Sequence, residues 1–116
     1  MKEGRINILG KEYPACLSTR MMIKVTEKTG KPFQEGIAEL LDTNNIDGMF
    51  WVLSEMLEAG KRYHDLIGDE TPQPPTLDTL LDSVGLDGFN DLSAAIFKAA
   101  VSTSTADVEI EADEKN

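Results

Sequence analysis

Cysteine, histidine and tryptophan each occur once in the 116 residues. With Cys16 alone, no intrachain disulfide can form, which fits a reducing compartment. His64 has no second imidazole and no cysteine partner with which to complete a metal site. Cations are scarce as well. Eleven Lys and Arg stand against 21 Asp and Glu, giving a formal net charge of -10 and a pI of about 4.4. Binding nucleic acid through its phosphates needs clustered cations, as does adsorption to an anionic membrane, so neither is expected. The acidic balance suits high solubility or a partner with basic patches. No apolar run approaches the ~18 residues of a membrane span. The first nine residues lack the apolar centre of a signal peptide. The expectation is a soluble, intracellular chain of one domain with a modest core.

What is present is organised around residues 46–67. Apolar side chains at Ile46, Met49, Phe50, Leu53, Met56, Leu57, Tyr63 and Ile67 follow the three-and-four spacing of one helical face. Trp51 and Val52 lie off that stripe, so the start of the helix is apolar over more than half its circumference. Such a helix is either central in a core or partly covered by another chain.

Ahead of it, Arg5–Leu17 predicts a β-hairpin. Ile6 and Ile8 share one face, as do Tyr13, Ala15 and Leu17. Gly10-Lys11 between them suits a two-residue type II′ turn. Pro14 donates nothing to the ladder, so its strand needs a free side there. A lone hairpin is marginal in water and must pack on helices. Ser18 or Thr19 caps a first helix carrying Met22, Ile23 and Val25, with Lys28 in its last turn and Gly30 as its stop. Pro32 opens a short helix with Phe33, Ile37, Leu40 and Leu41 inward and Glu35 and Glu39 outward. Residues 42–45 form a loop and cap the central helix.

Pro72, Pro74 and Pro75 break the chain after the central helix. Thr76 caps a helix with Leu77, Leu80, Leu81 and Val84, which Gly85 ends. A further helix is predicted from Gly88 to Ala100, with Phe89, Leu92, Ala95, Ile96 and Ala99 at helical spacing and Phe97 beside them. Both helices are expected to pack on the central one. From Ser102 onward the chain has five acids, one Lys and no aromatic residue. That is too little apolar surface to offset ordering entropy, so residues 102–116 are expected to form a disordered acidic tail. Within it, Val108 and Ile110 alternate with acids and suit a short strand formed on a partner.

Few residues offer chemistry. His64 and Asp65 are consecutive on a helix and do not face each other. Cys16 has no histidine near it in sequence and reads as a small buried apolar residue. Neither Asp47-Gly48 nor Asp87-Gly88 extends into a calcium loop, and no Gly-rich phosphate loop is present. The pairs Glu55/Glu58 and Asp78/Asp82 read as solvated helix faces. No enzyme, cofactor or metal is expected. The informative residues are Met49, Trp51, Val52, Met56 and Phe97, the candidate protein-binding set. Core packing accounts for most of the aromatic and methionine residues, but Trp, Phe and Met are also over-represented at interface centres.

The order of elements carries a resemblance. It runs from Ile6-Asn-Ile-Leu-Gly-Lys-Glu-Tyr13 to a helix ending Val25-Thr-Glu-Lys-Thr-Gly30. The helix Pro32–Leu41, an Asn-rich loop and an aromatic helix around Phe50-Trp51 follow. Over residues 5 to 67 this resembles the tail assembly chaperones of long, non-contractile-tailed phages and related prophages. The resemblance implies a helical, non-catalytic protein of the host cytoplasm. It would bind the tape measure protein before the tail tube polymerises around it, and would contact the tail tube protein. The resemblance also implies self-association and a longer form made by ribosomal frameshifting. Glu114-Lys115-Asn116 can be encoded by a slippery run of adenines ending in cytosine.

A different class also addresses the charge: an acidic DNA mimic that blocks a host nucleic-acid-binding protein. Setting aside residues 102–116 removes five acids and one Lys and leaves the body at -6. Those charges are spread over several helices rather than set in one dense stripe, which ranks the chaperone first. The overall expectation is a mainly α-helical domain over residues 1–101, with its N-terminal hairpin packed on the helices, followed by the tail.

Overall fold

The computed structural model describes residues 1–104. The fold is mainly α. In chain order the described elements are β1 (Gly4–Ile8), β2 (Lys11–Ala15), α1 (Thr19–Thr29), α2 (Phe33–Leu40), α3 (Ile46–Leu66), α4 (Leu77–Ser83) and α5 (Leu86–Ser104). The last helix runs through Ser104, past the expected boundary at 101. The remainder of the expected tail lies outside the described residues.

The hairpin forms with its expected inner face. Ile6, Ile8, Tyr13 and Ala15 are buried, and Ile6 lies opposite Tyr13 in the antiparallel ladder. The turn differs from expectation. Ile8 pairs with Lys11, so the loop residues are Leu9 and Gly10 rather than Gly10 and Lys11. Both have positive φ, 53° and 84°, as a type I′ turn requires. The Gly10 N–H donates to Asn7 Oδ1 at 3.0 Å and closes the turn. In a two-residue hairpin the pair flanking the loop exchanges both hydrogen bonds, and pairs alternate from there. Pro14, opposite Arg5, therefore sits where the ladder asks for no N–H.

Helix ends follow local chemistry. Ser18 Oγ accepts the Met21 N–H at 3.2 Å to start α1. Gly30 closes it in the left-handed region, its N–H donating to Thr26 O. Pro32 stands just outside α2 as its N-cap, not at the first helical position. Asn45 Oδ1 accepts the Gly48 N–H and caps α3, and Thr76 Oγ1 accepts the Thr79 N–H and caps α4. α5 starts at Leu86, two residues earlier than expected, so Gly88 lies within its first turn.

α3 is the centre of the molecule. Met49, Phe50, Val52, Leu53, Met56 and Leu57 are all buried, and β2, α4, α2, α1 and α5 all contact it. Closest of these is β2. Gly60 presents bare backbone to Pro14, and a methyl group there would run into the Pro14 carbonyl. That proximity lets the Cys16 N–H donate to the Met56 carbonyl of α3 at 3.2 Å. α4 packs on α3 as expected, but α5 lies chiefly against β1, where Gly4 faces Ala99.

Four expected core positions, Met22, Ile23, Ile46 and Ile67, lie outside the core. Met21, with Val25, forms the buried face of α1, while Met22 and Ile23 are exposed. At the two ends of the central stripe, Ile46 and Ile67 are exposed. They lie beyond the neighbours that cover the middle of α3.

Candidate protein-binding surface

The five candidate contact residues separate by burial. Met49, Val52 and Met56 are no more than 2% exposed and offer nothing to a partner in this fold. Val52 lies off the main stripe, yet it is buried because α3 is enclosed by the chain's own elements. Trp51 is half-buried, with the Lys28 ammonium 4.9 Å from its ring centroid. Phe97 is 56% exposed.

Phe97 stands at the rim of an open, largely apolar groove of about 180 Å³ between α2 and α5, lined by Leu17, Phe33, Ile37, Leu41 and Val101 among others. Two helical stripes make it. Phe33, Ile37 and Leu41 recur at four-residue spacing along α2 and its end, and Phe97 and Val101 do so on α5. The spacing of the α2 stripe predicts a core face. The stripe is only half-buried because, among the described residues, no further element covers its outer side. Val101 lies at the edge of the expected tail and so falls outside the candidate set, although its four-residue spacing from Phe97 is legible in the sequence.

The polar centre of the molecule lies at the other end of α3. His64 is buried, and Asp65 is not its partner; Asp65 holds Lys61 at 3.0 Å. His64 Nε2 lies 2.6 Å from Glu3 Oε1, and Nδ1 lies 3.2 Å from Asp69 Oδ2. Glu3 also pairs with Arg5 at 3.1 Å. The Asp69 N–H donates to His64 O at 2.9 Å. The ring thus ties the N-terminal segment and the post-helix linker to the end of α3. Carboxylates only accept hydrogen bonds, so both ring nitrogens are engaged as donors when the imidazole carries two protons. Beside this cluster the N-terminal ammonium donates to the Tyr63 hydroxyl at 3.3 Å.

Cys16 is wholly buried. Burial, with the Glu3 carboxylate adding to it, pushes its thiol up to about 11 against the smaller opposing pull of the N-terminal ammonium and Arg62. A thiol held in that way stays protonated at neutral pH and is a poor nucleophile. Its role here is packing.

Among the described residues, no group of three or more His, Cys, Asp and Glu is placed to hold a metal ion. Nor is any helix among them long and apolar enough to cross a membrane. Comparison with protein-family models, with curated proteins and with solved structures gave no match.

Proposed function

We propose that the protein is a non-catalytic assembly chaperone of a phage or prophage tail. It acts in the host cytoplasm, binds the tape measure protein and contacts the tail tube protein. The client identity rests on the resemblance over residues 5 to 67. The observation that carries a binding role is the open apolar groove between α2 and α5, rimmed by the exposed Phe97. A groove lined from two helices suits the apolar stripe of an amphipathic helix, read at i, i+3, i+4 and i+7. A tape measure protein, long and helical, would present many such stripes. The net charge of -10 supports the same role by keeping a complex with an apolar client in solution.

The test is co-expression of the tagged chain with its neighbouring genes, followed by affinity recovery. Recovery of a very long helical protein by the native chain, and its loss from an Ile37→Glu, Phe97→Glu variant that keeps its helical circular dichroism, is the expected result. Recovery of a host DNA-binding protein in its place would replace the chaperone reading with that of a DNA mimic.

A further inference from the structure

A second apolar surface lies away from the α2–α5 groove, at the hairpin tip. Leu9 has φ of 53° and is 78% exposed. A branched side chain in the left-handed region costs free energy that Asn or Gly would not incur. An exposed leucine recovers none of that cost by burial. Fold stability therefore does not account for leucine at this position.

Leu9 is not isolated. It lines an open cleft of about 430 Å³ together with Val84, Asp87, Asp91, Leu92 and Ala95. Leu86, which precedes Asp87 in sequence, is 93% exposed. Hairpin tip, α4–α5 junction and the start of α5 thus present apolar carbon and carboxylates side by side. Asp87 lies in the first turn of α5, where it complements the helix dipole. Asp91 is a turn further on and gains little from that effect. Among the described residues neither carboxylate is held in an ion pair. Lys11 and Glu12, next on the hairpin, offset each other in charge.

We propose that this face docks a basic amphipathic segment of a partner protein, with Leu9 and Leu86 as apolar anchors and Asp87 and Asp91 meeting its cations. Charge selects the occupant. A second copy of this chain meeting it face to face across a two-fold axis would bring the same carboxylates together, and like charges across a contact are costly. A neutral apolar segment would leave the carboxylates unmatched. The inference does not depend on the identity of any client at the α2–α5 groove.

The probe is a short fluorescent helical peptide of Leu and Lys, with a Ser/Lys peptide of equal charge and a Leu/Glu peptide as controls. Binding is followed by anisotropy and mapped by amide chemical-shift changes on the full chain. The Leu/Lys peptide is expected to bind above both controls, with shift changes centred on Leu9, Val84, Asp87 and Asp91. Leu9→Asn, which suits the turn, and Leu86→Ser are each expected to weaken binding roughly tenfold. Asp87→Asn with Asp91→Asn is expected to weaken binding and flatten its salt dependence. Four results would overturn the proposal. Equal binding of the Ser/Lys peptide would reduce the effect to net charge. Shift changes confined to the α2–α5 groove would assign the peptide there. Unchanged affinity in a folded Leu9→Asn variant would remove the anchor. Shift changes at the same residues on concentrating the free protein would give the face to a second copy.

Discussion

The close approach of β2 to α3 makes Gly60 a sharp test of the packing. In an open helix interior, Gly→Ala stabilises by about 0.5–1 kcal/mol, because alanine loses less backbone freedom on folding. At Gly60 the added methyl carbon would lie 2.6 Å from the Pro14 carbonyl carbon and 3.1 Å from the Ala15 nitrogen. Those are backbone atoms, which cannot rotate aside as a side chain does. The strand must move off the helix. Overpacking of this kind costs about 1–3 kcal/mol. The Cys16 N–H to Met56 O bond, already 3.2 Å long, would stretch further and forfeit about 1 kcal/mol. Set against the propensity gain, Gly60→Ala should lose about 2 kcal/mol. Gly88→Ala is the control, since the nearest atom to its new methyl is Val84 Cγ1 at an ordinary 3.7 Å. It should gain about 0.5–1 kcal/mol. Urea denaturation followed by far-UV circular dichroism and Trp51 fluorescence would separate the two variants by about 3 kcal/mol at unchanged m-value. Gly60→Ala at or above native stability would refute the argument, since the strand and helix would then have room between them.

Other positions give independent checks. Leu53→Ala, at a wholly buried site, should cost about 3–4 kcal/mol in the same denaturation assay. Leu9→Asn should stabilise the isolated protein by about 1 kcal/mol, because Asn tolerates the positive φ that Leu9 holds at 53°. The Cys16 thiol binds its proton more tightly folded than unfolded, its titration raised from 9.0 to about 11. Its contribution to stability is therefore complete below pH 9 and is lost as pH rises toward 11. Stability against pH for the native chain and for Cys16→Ala should diverge over that window, with the native curve falling more steeply. Alkylation of native Cys16 at neutral pH should proceed only as fast as the chain opens.

Much of the architecture was legible in the sequence because its signals are local. Gly30, Asn45 and Thr76 mark helix ends by backbone chemistry that needs no tertiary context. The long stripe of α3 repeats often enough to fix its phase. The run Met21-Met22-Ile23 does not, since it supplies an apolar residue to any phase, and only the packing selects Met21. The hairpin shows a related limit. Alternation fixes which side chains share a face, but not which pairs stand opposite. Moving the loop by one residue slides the pairing by two and keeps Ile6, Ile8, Tyr13 and Ala15 inward. The turn at Leu9-Gly10 was hidden because leucine is a poor turn residue. The candidate contact set mixed core with surface for the same reason that α3 stood out: a helix apolar on several faces is equally the signature of full enclosure. The two carboxylates of the His64 cluster lie 61 and 5 residues away in sequence. No spacing rule joins the first of them to the ring.

The packing of β1 against α5 bears on how the chain matures as it is made. The hairpin leaves the ribosome well before α5 does, yet Gly4 is seated against Ala99 of the last described helix. Contacts between the start of a chain and segments synthesised much later delay closure of the core. A nascent chain that has not reached residue 86 holds a hairpin without this neighbour. Its final consolidation therefore follows translation of α5, and truncation within that helix should be felt at the hairpin, some eighty residues earlier.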